Sequence, residues 1–152
     1  MTSDSFRQAA RRKVISRASA QELGAVAHLL VDASRHQITA VIIGRGKKAH
    51  LVDWSALSGF GPDAVMVRDE AALRSPADER ERDATDGKLE LVGKRTLTER
   101  GNELGTLDDV TFDAETGALQ TLLVGNREIP AGSLLGSGTY AAVLDDSQEA
   151  AP

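Results

Sequence analysis

A chain of 152 residues with no cysteine has no disulfide, no thiol nucleophile and no thiolate metal site available to it. Aromatic residues make up only 3% of it, so aliphatic packing has to supply most of the core, and recognition of single-stranded nucleic acid by base stacking is disfavoured. The net charge of −5 hides an uneven distribution, with ten Lys and Arg against five Asp and Glu in residues 1–68, but eight against eighteen in residues 69–152.

Such asymmetry points to complementary surfaces, between parts of the chain, between molecules or toward a charged partner. Residues 1–11 are polar and predict a flexible N-terminus. No apolar run is long enough to span a bilayer and no secretory h-region is present, so a cytoplasmic location is expected. Residues 6–17 carry Arg7, Arg11, Arg12, Lys13 and Arg17, a basic stretch leading into a short strand at Val14 and Ile15. Residues 18–24 read as a turn, with Gly24 where the chain re-enters the sheet by a positive φ or a close backbone approach.

The next apolar positions, Val26, Leu29 and Val31, are spaced by three and then by two. Strict alternation needs steps of two, so the extra residue predicts a β-bulge that bends the strand. A helix is the competing reading of a three-residue step; β-branched content and the flanking glycine favour the strand. Residues 32–37 form a hairpin turn opened by Asp32. Residues 38–43 are apolar on both faces, as suits a strand between a barrel interior and a covering element. Gly44-Arg45-Gly46-Lys47-Lys48 is a basic hairpin tip, His50 to Val52 the returning strand, residues 54–57 a single helical turn and residues 64–68 a closing strand. Residues 70–90 are rich in charge and contain Pro76, which predicts a solvated linker with a helical segment at 70–74.

From residue 91 the same order returns. Ala20-Gln21-Glu22-Leu23-Gly24 matches Gly101-Asn102-Glu103-Leu104-Gly105, and Val26, Leu29 and Val31 match Leu107, Val110 and Phe112. Asp32-Ala33 matches Asp113-Ala114, Gly44 matches Gly125, and Leu57-Ser58-Gly59-Phe60-Gly61 matches Leu134-Leu135-Gly136-Ser137-Gly138 after a shorter hairpin. A period this long means two copies of one small domain, residues 12–69 and 91–146, joined by the linker 70–90 and followed by a tail at 147–152. Units of this size bury too little surface to stand alone, so the copies are expected to share an interface. His36 stands where the second copy has Gly117, which predicts a different turn type in the first copy.

Four segments of the second copy carry a family resemblance: Val92-Gly93-Lys94, then Glu103-Leu104-Gly105-Thr106-Leu107-Asp108-Asp109-Val110, then Phe112-Asp113-Ala114-Glu115-Thr116-Gly117, then Ile129-Pro130. Their order of glycine, Asp-hydrophobic pair, Asp-to-Gly turn and hydrophobic-Pro step resembles the PRC-barrel family. The first copy departs from it at Ala27-His28, where Asp-Asp is expected, and at Asp53-Trp54, where the second copy has Pro130-Ala131. The resemblance implies a mainly β fold of two small barrels in tandem, related by a pseudo-twofold axis, and a non-catalytic docking role. Relatives include the cytoplasmic part of the photosynthetic reaction-centre H subunit, whose membrane helix has no counterpart here, and the C-terminal domain of the ribosome-maturation factor RimM.

The residues themselves assign no catalytic group, no cofactor and no metal set, and the chain is read as a non-enzyme. His28 and His36 flank Asp32 but follow no common ligand spacing, and His50 stands apart. Asp108 and Asp109 are neighbours on a strand and point to opposite faces, while Asp113 suits a turn cap. Gly44-x-Gly46, Gly59-x-Gly61 and Gly136-x-Gly138 complete no phosphate-binding fingerprint and read as turns. No serine stands beside a base. The candidate partner-binding residues are Arg45, Lys47 and Lys48 on the basic tip and Trp54, the lone tryptophan, which is otherwise core. A protein partner is expected; a ribosome- or RNA-associated role through the basic first copy is the alternative, and a homodimer stays open.

Overall fold

The computed structural model describes residues 2–44, 46–145 and 147. In chain order the elements are β1 (Ser3–Ser5), α1 (Phe6–Ala9), β2 (Lys13–Ser16), β3 (Glu22–Asp32), β4 (Gln37–Ile43), β5 (His50–Asp53), β6 (Leu57–Phe60) and β7 (Val65–Val67). Then come α2 (Glu79–Thr85), β8 (Arg95–Thr98), β9 (Glu103–Asp113), β10 (Leu119–Val124), β11 (Arg127–Pro130), β12 (Leu134–Ser137) and β13 (Ala141–Leu144). They build two sheets of one design, β5-β4-β3-β2-β7-β6 and β11-β10-β9-β8-β13-β12, with β1 added to β9. In both, β7 or β13 runs parallel to the first strand of its copy, while the other neighbours are antiparallel. The tandem repeat is therefore structural as well as textual.

Each sheet curls because its longest strand serves two partners. The first part of β3 pairs with β2 and the remainder with β4. The register jumps at the handover, from Val26 opposite Ile43 to His28 opposite Ile42. In β9 it jumps from Leu107 opposite Val124 to Asp109 opposite Leu123. The skipped residues, Ala27 and Asp108, are the extra ones in the three-residue steps, so both predicted bulges are present. Gly24 sits beside the handover at φ +149, where a Cβ would lie 2.6 Å from the Ile43 Cγ2 atom. Single 3-10 turns, Trp54–Ala56 and Ala131–Ser133, carry the chain from one edge of each sheet to the other. Among the described residues no ladder joins those two edges, so the sheets are curled and barrel-like rather than bonded closed.

Two segments expected to be loose are part of the frame. Residues 1–11, read as a flexible terminus, supply β1, which pairs Ser3 with Asp113 and Ser5 with Thr111, and α1, which buries Phe6 and Ala9. The linker 70–90 has a 3-10 turn at Glu70–Ala72 and then α2, capped by the Asp78 side chain on the Glu81 N–H. Arg74 exchanges two backbone hydrogen bonds of 2.8 Å with Leu51. Composition misleads at both places because one or two buried apolar residues are enough to seat a short helix whose other side chains face water.

The two lead-in segments are equivalent. Arg12 N–H donates to Ala9 and Arg11 N–H to Val26, just as Lys94 donates to Leu91 and Gly93 to Leu107. Each long strand is covered by the helix that leads into the other copy. β9 carries β1 and α1; β3 lies beneath α2, with the His28 ring against the Ala84 carbonyl and Arg80 donating to the Val31 carbonyl at 2.7 Å. This explains the two apolar faces of β4. Ile38, Val41 and Ile43 enter the main core, while Ala40 and Ile42 join Leu30, Leu51 and Ala84 under α2.

The copies meet as the repeat predicts. Gln37 faces Ala118 in an antiparallel bridge; Ile38 N–H donates to Gly117 O at 2.9 Å and Leu119 N–H to His36 O at 2.8 Å. Exchanging every residue for its counterpart converts one bond into the other, so the junction is locally two-fold. His36 adopts φ +52 where Gly117 has φ +78. The turns nonetheless differ as expected, with His36 N–H donating to Ala33 O three residues back and Gly117 N–H to Asp113 O four back; histidine accepts the left-handed conformation with its carbonyl held by Leu119 N–H. Behind the junction four of the five aromatic residues cluster around Phe112, at centroid distances of 5.6 Å to Phe6, 5.5 Å to Phe60 and 6.2 Å to Trp54. The rest of the continuous core is aliphatic, drawn from both copies.

Candidate functional site

The basic face of the first copy is less uniform than the sequence suggests, because some of its cations are engaged internally. Arg12 and Asp4 form a buried ion pair of 2.6 Å, with side chains 7% and 8% exposed. The same guanidinium donates to Gly61 O at 2.9 Å and lies over the Phe60 ring, clamping β1 to the β6–β7 turn. Lys13 pairs with Glu22 at 3.3 Å on the surface. Arg7 donates its backbone N–H to the Asp109 carboxylate at 3.1 Å and its Nε to the Asp108 carbonyl.

Arg11, Lys47 and Lys48 are exposed, and among the described residues their side chains meet no carboxylate. Lys47 and Lys48 lie on the 3-10 turn Gly46–Lys48 at the β4–β5 hairpin. Arg45 lies outside the described residues. Trp54 is half-buried on the junction, stacked on Phe60 at 5.3 Å, with its indole against Gly117. Sequence reasoning missed Arg11 as a separate feature. The sequence offers only the mismatch with Gly93 at the equivalent position; the φ of +70 that sets Arg11 apart is visible in the structure alone.

The other polar candidates have structural work. His36 Nε2 lies 2.9 Å from the Leu134 carbonyl, while His50 is exposed. Asp32 accepts from Ser34 N–H at 3.1 Å and Ser34 Oγ at 2.8 Å, and the Ser34 hydroxyl holds its carboxyl below the usual carboxylate range. Asp113 caps the matching turn by accepting from Glu115 N–H at 2.9 Å. Gly61 N–H donates to Ala64 O and Gly138 N–H to Ala141 O, so these glycines belong to matched hairpins. Among the described residues no group of three His, Asp or Glu side chains could hold a metal ion, and no helix is long and apolar enough to cross a membrane.

The strongest electrostatic feature is on the linker. Arg74 donates to Glu81 at 2.7 and 2.6 Å and to Asp53 at 2.8 Å, and Glu81 also accepts from Ala77 N–H at 2.8 Å. Hydrogen bonds from Arg74 push the Glu81 carboxyl down to about 2 and raise the guanidinium in turn. This network fastens the linker to β5 and faces no cleft lined by a nucleophile, so it reads as a structural clasp.

On the second copy, Leu135 and Tyr140 are exposed, the latter beneath the Arg95 guanidinium at 5.1 Å from the ring centroid. The site that remains is a cationic surface on the first copy, centred on Arg11 and the hairpin lysines. Comparison with known protein families and with curated proteins found no match to this chain.

Proposed function

We propose that this protein is a cytoplasmic, non-catalytic docking module of the PRC-barrel type, which binds an acidic protein partner through the basic face of its first copy. The supporting observation is that Arg11, Lys47 and Lys48, unlike Arg12 and Lys13, meet no carboxylate among the described residues, and that Arg11 borders the same open stretch as Gly44 at the foot of the lysine turn. Complementary charge raises association rate and selects partners more than it adds affinity, as suits a module that assembles complexes.

The test places a photocrosslinking residue at His50, exposed beside the lysine turn, and identifies the adducts formed in cells. Adducts with an acidic protein, lost in Lys47→Glu/Lys48→Glu, support the reading; adducts indifferent to the charge reversal overturn it.

A second reading, association with RNA or the ribosome, rests on the same lysines. It predicts co-sedimentation with ribosomes that the double charge reversal abolishes and that weakens steeply with salt. The absence of a free aromatic face beside those lysines favours the protein partner.

A further inference from the structure

A cleft of about 410 Å³ opens where α1, the bulge of β3 and residues 90–92 converge. Its apolar lining comes from Phe6, Val26, Leu29 and Leu91. Arg7 and Arg11 border it, and among the described residues Glu90 is its only carboxylate. A more open stretch continues it past Arg11 and Ala25–Ala27 to Gly44. There the turn bearing Lys47 and Lys48 folds back, with the Lys48 carbonyl 3.5 Å from where a Cβ on Gly44 would be. The two stretches form one groove bordering five residues of β3, a length of about 16 Å.

On the matching part of β9, Asp108 replaces Ala27 and its carbonyl is taken by Arg7, so the two copies present opposite chemistry at this place. Arg11 is turned outward by a left-handed backbone that glycine would adopt more easily, as Gly93 does in the second copy. A long groove with an apolar floor, Arg11 on its wall and the turn of Lys47 and Lys48 at its far end matches extended chain better than a compact anion. Phe6 packs edge-on to Phe112, which leaves no ring presented for base stacking.

We infer that this groove binds an extended acidic peptide segment of a protein partner. The segment seats one aliphatic side chain over Phe6, Leu29 and Leu91, and sets its carboxylates against Arg11, Lys47 and Lys48. The inference rests on the docking reading and names its surface.

The probe is a fluorescent nonapeptide of alternating Glu and Leu, titrated at low salt beside a Lys/Leu peptide and a twelve-nucleotide single-stranded RNA. The acidic peptide is expected to bind in preference to both, and to shift the amide NMR signals of Arg11, Ala27 and Leu91. Arg11→Gly installs the residue of the second copy, keeps the fold, and is expected to weaken binding about tenfold. An unchanged melting temperature with lost affinity supports the groove. Signals shifting elsewhere, equal binding of the Lys/Leu peptide, preference for RNA, or indifference to Arg11→Gly each overturn it. If crosslinks at His50 still capture an acidic protein when the peptide fails, the groove falls and the docking reading stands.

Discussion

Trp54 and Gly117 touch across the junction so closely that a Cβ on the glycine would lie 2.8 Å from the indole Cε2 atom. The same Cβ would sit 2.6 Å from Gln37 Nε2, on a backbone at φ +78. Gly117→Ala therefore combines a clash with strain and is expected to cost about 2–4 kcal/mol. Urea unfolding followed by Trp54 fluorescence measures the loss, and the emission should shift because the indole is displaced. A stability within 0.5 kcal/mol of the parent, on the order of an ordinary surface change, would refute the packing.

All three non-glycine residues with positive φ among those described, Arg11, Ala20 and His36, have glycine at the equivalent place: Gly93, Gly101 and Gly117. Relief of left-handed strain, about 1 kcal/mol, nearly offsets the added chain entropy of glycine. Ala20→Gly is thus expected to leave the urea midpoint almost unchanged, whereas Gly101→Ala should destabilise by about 1 kcal/mol, because Gly101 holds φ +89, beyond the left-handed range that Ala20 occupies at φ +57.

Thr96 is 1% exposed, and among the described residues its hydroxyl has no hydrogen-bond partner. Val14 fills the matching position, fully buried, in the first copy. Thr96→Val keeps the shape, removes the unsatisfied oxygen and should stabilise by about 1 kcal/mol. Thermal unfolding would show a higher melting temperature; a lower one means that the hydroxyl has a partner after all.

The Arg12–Asp4 pair is buried, so breaking it from one side is worse than removing it whole. Asp4→Ala is expected to cost about 3 kcal/mol by leaving the guanidinium without its counter-charge, while Arg12→Met/Asp4→Leu should cost clearly less. Comparing the single and double variants by chemical denaturation decides this.

Glu81 titrates lower in the folded chain than its ordinary 4.5, so its clasp with Arg74 is complete above that value and fades as the pH falls toward 2. The contribution is about 1 kcal/mol once solvent screening of the partly exposed Arg74 is allowed for. Glu81→Gln should flatten the acid limb of stability measured between pH 5 and 2.5, and little else.

Much of this architecture is legible in the chain. The three-residue steps at Val26 and Leu107 announce the bulges, Gly24 and Gly105 the re-entry, and the long internal match the shared interface. What composition conceals is cover. The segments holding Phe6 and Ala84 look polar because a four- or seven-residue helix needs only one or two apolar contacts, and their targets lie in the other copy, far away in sequence. Of the candidate site, the turn bearing Lys47 and Lys48 is legible as a turn, but that Arg12 is consumed by a carboxylate eight residues earlier is not. The importance of Arg11 shows only when its backbone angle is set beside that of Gly93.

Because α1 reaches back to β9 and α2 lies over β3, the stretch between the copies is not a hinge but a strap. To swing one copy away from the other, the chain would have to break the Ile38–Gly117 and Leu119–His36 bonds and lift Phe6 off Phe112.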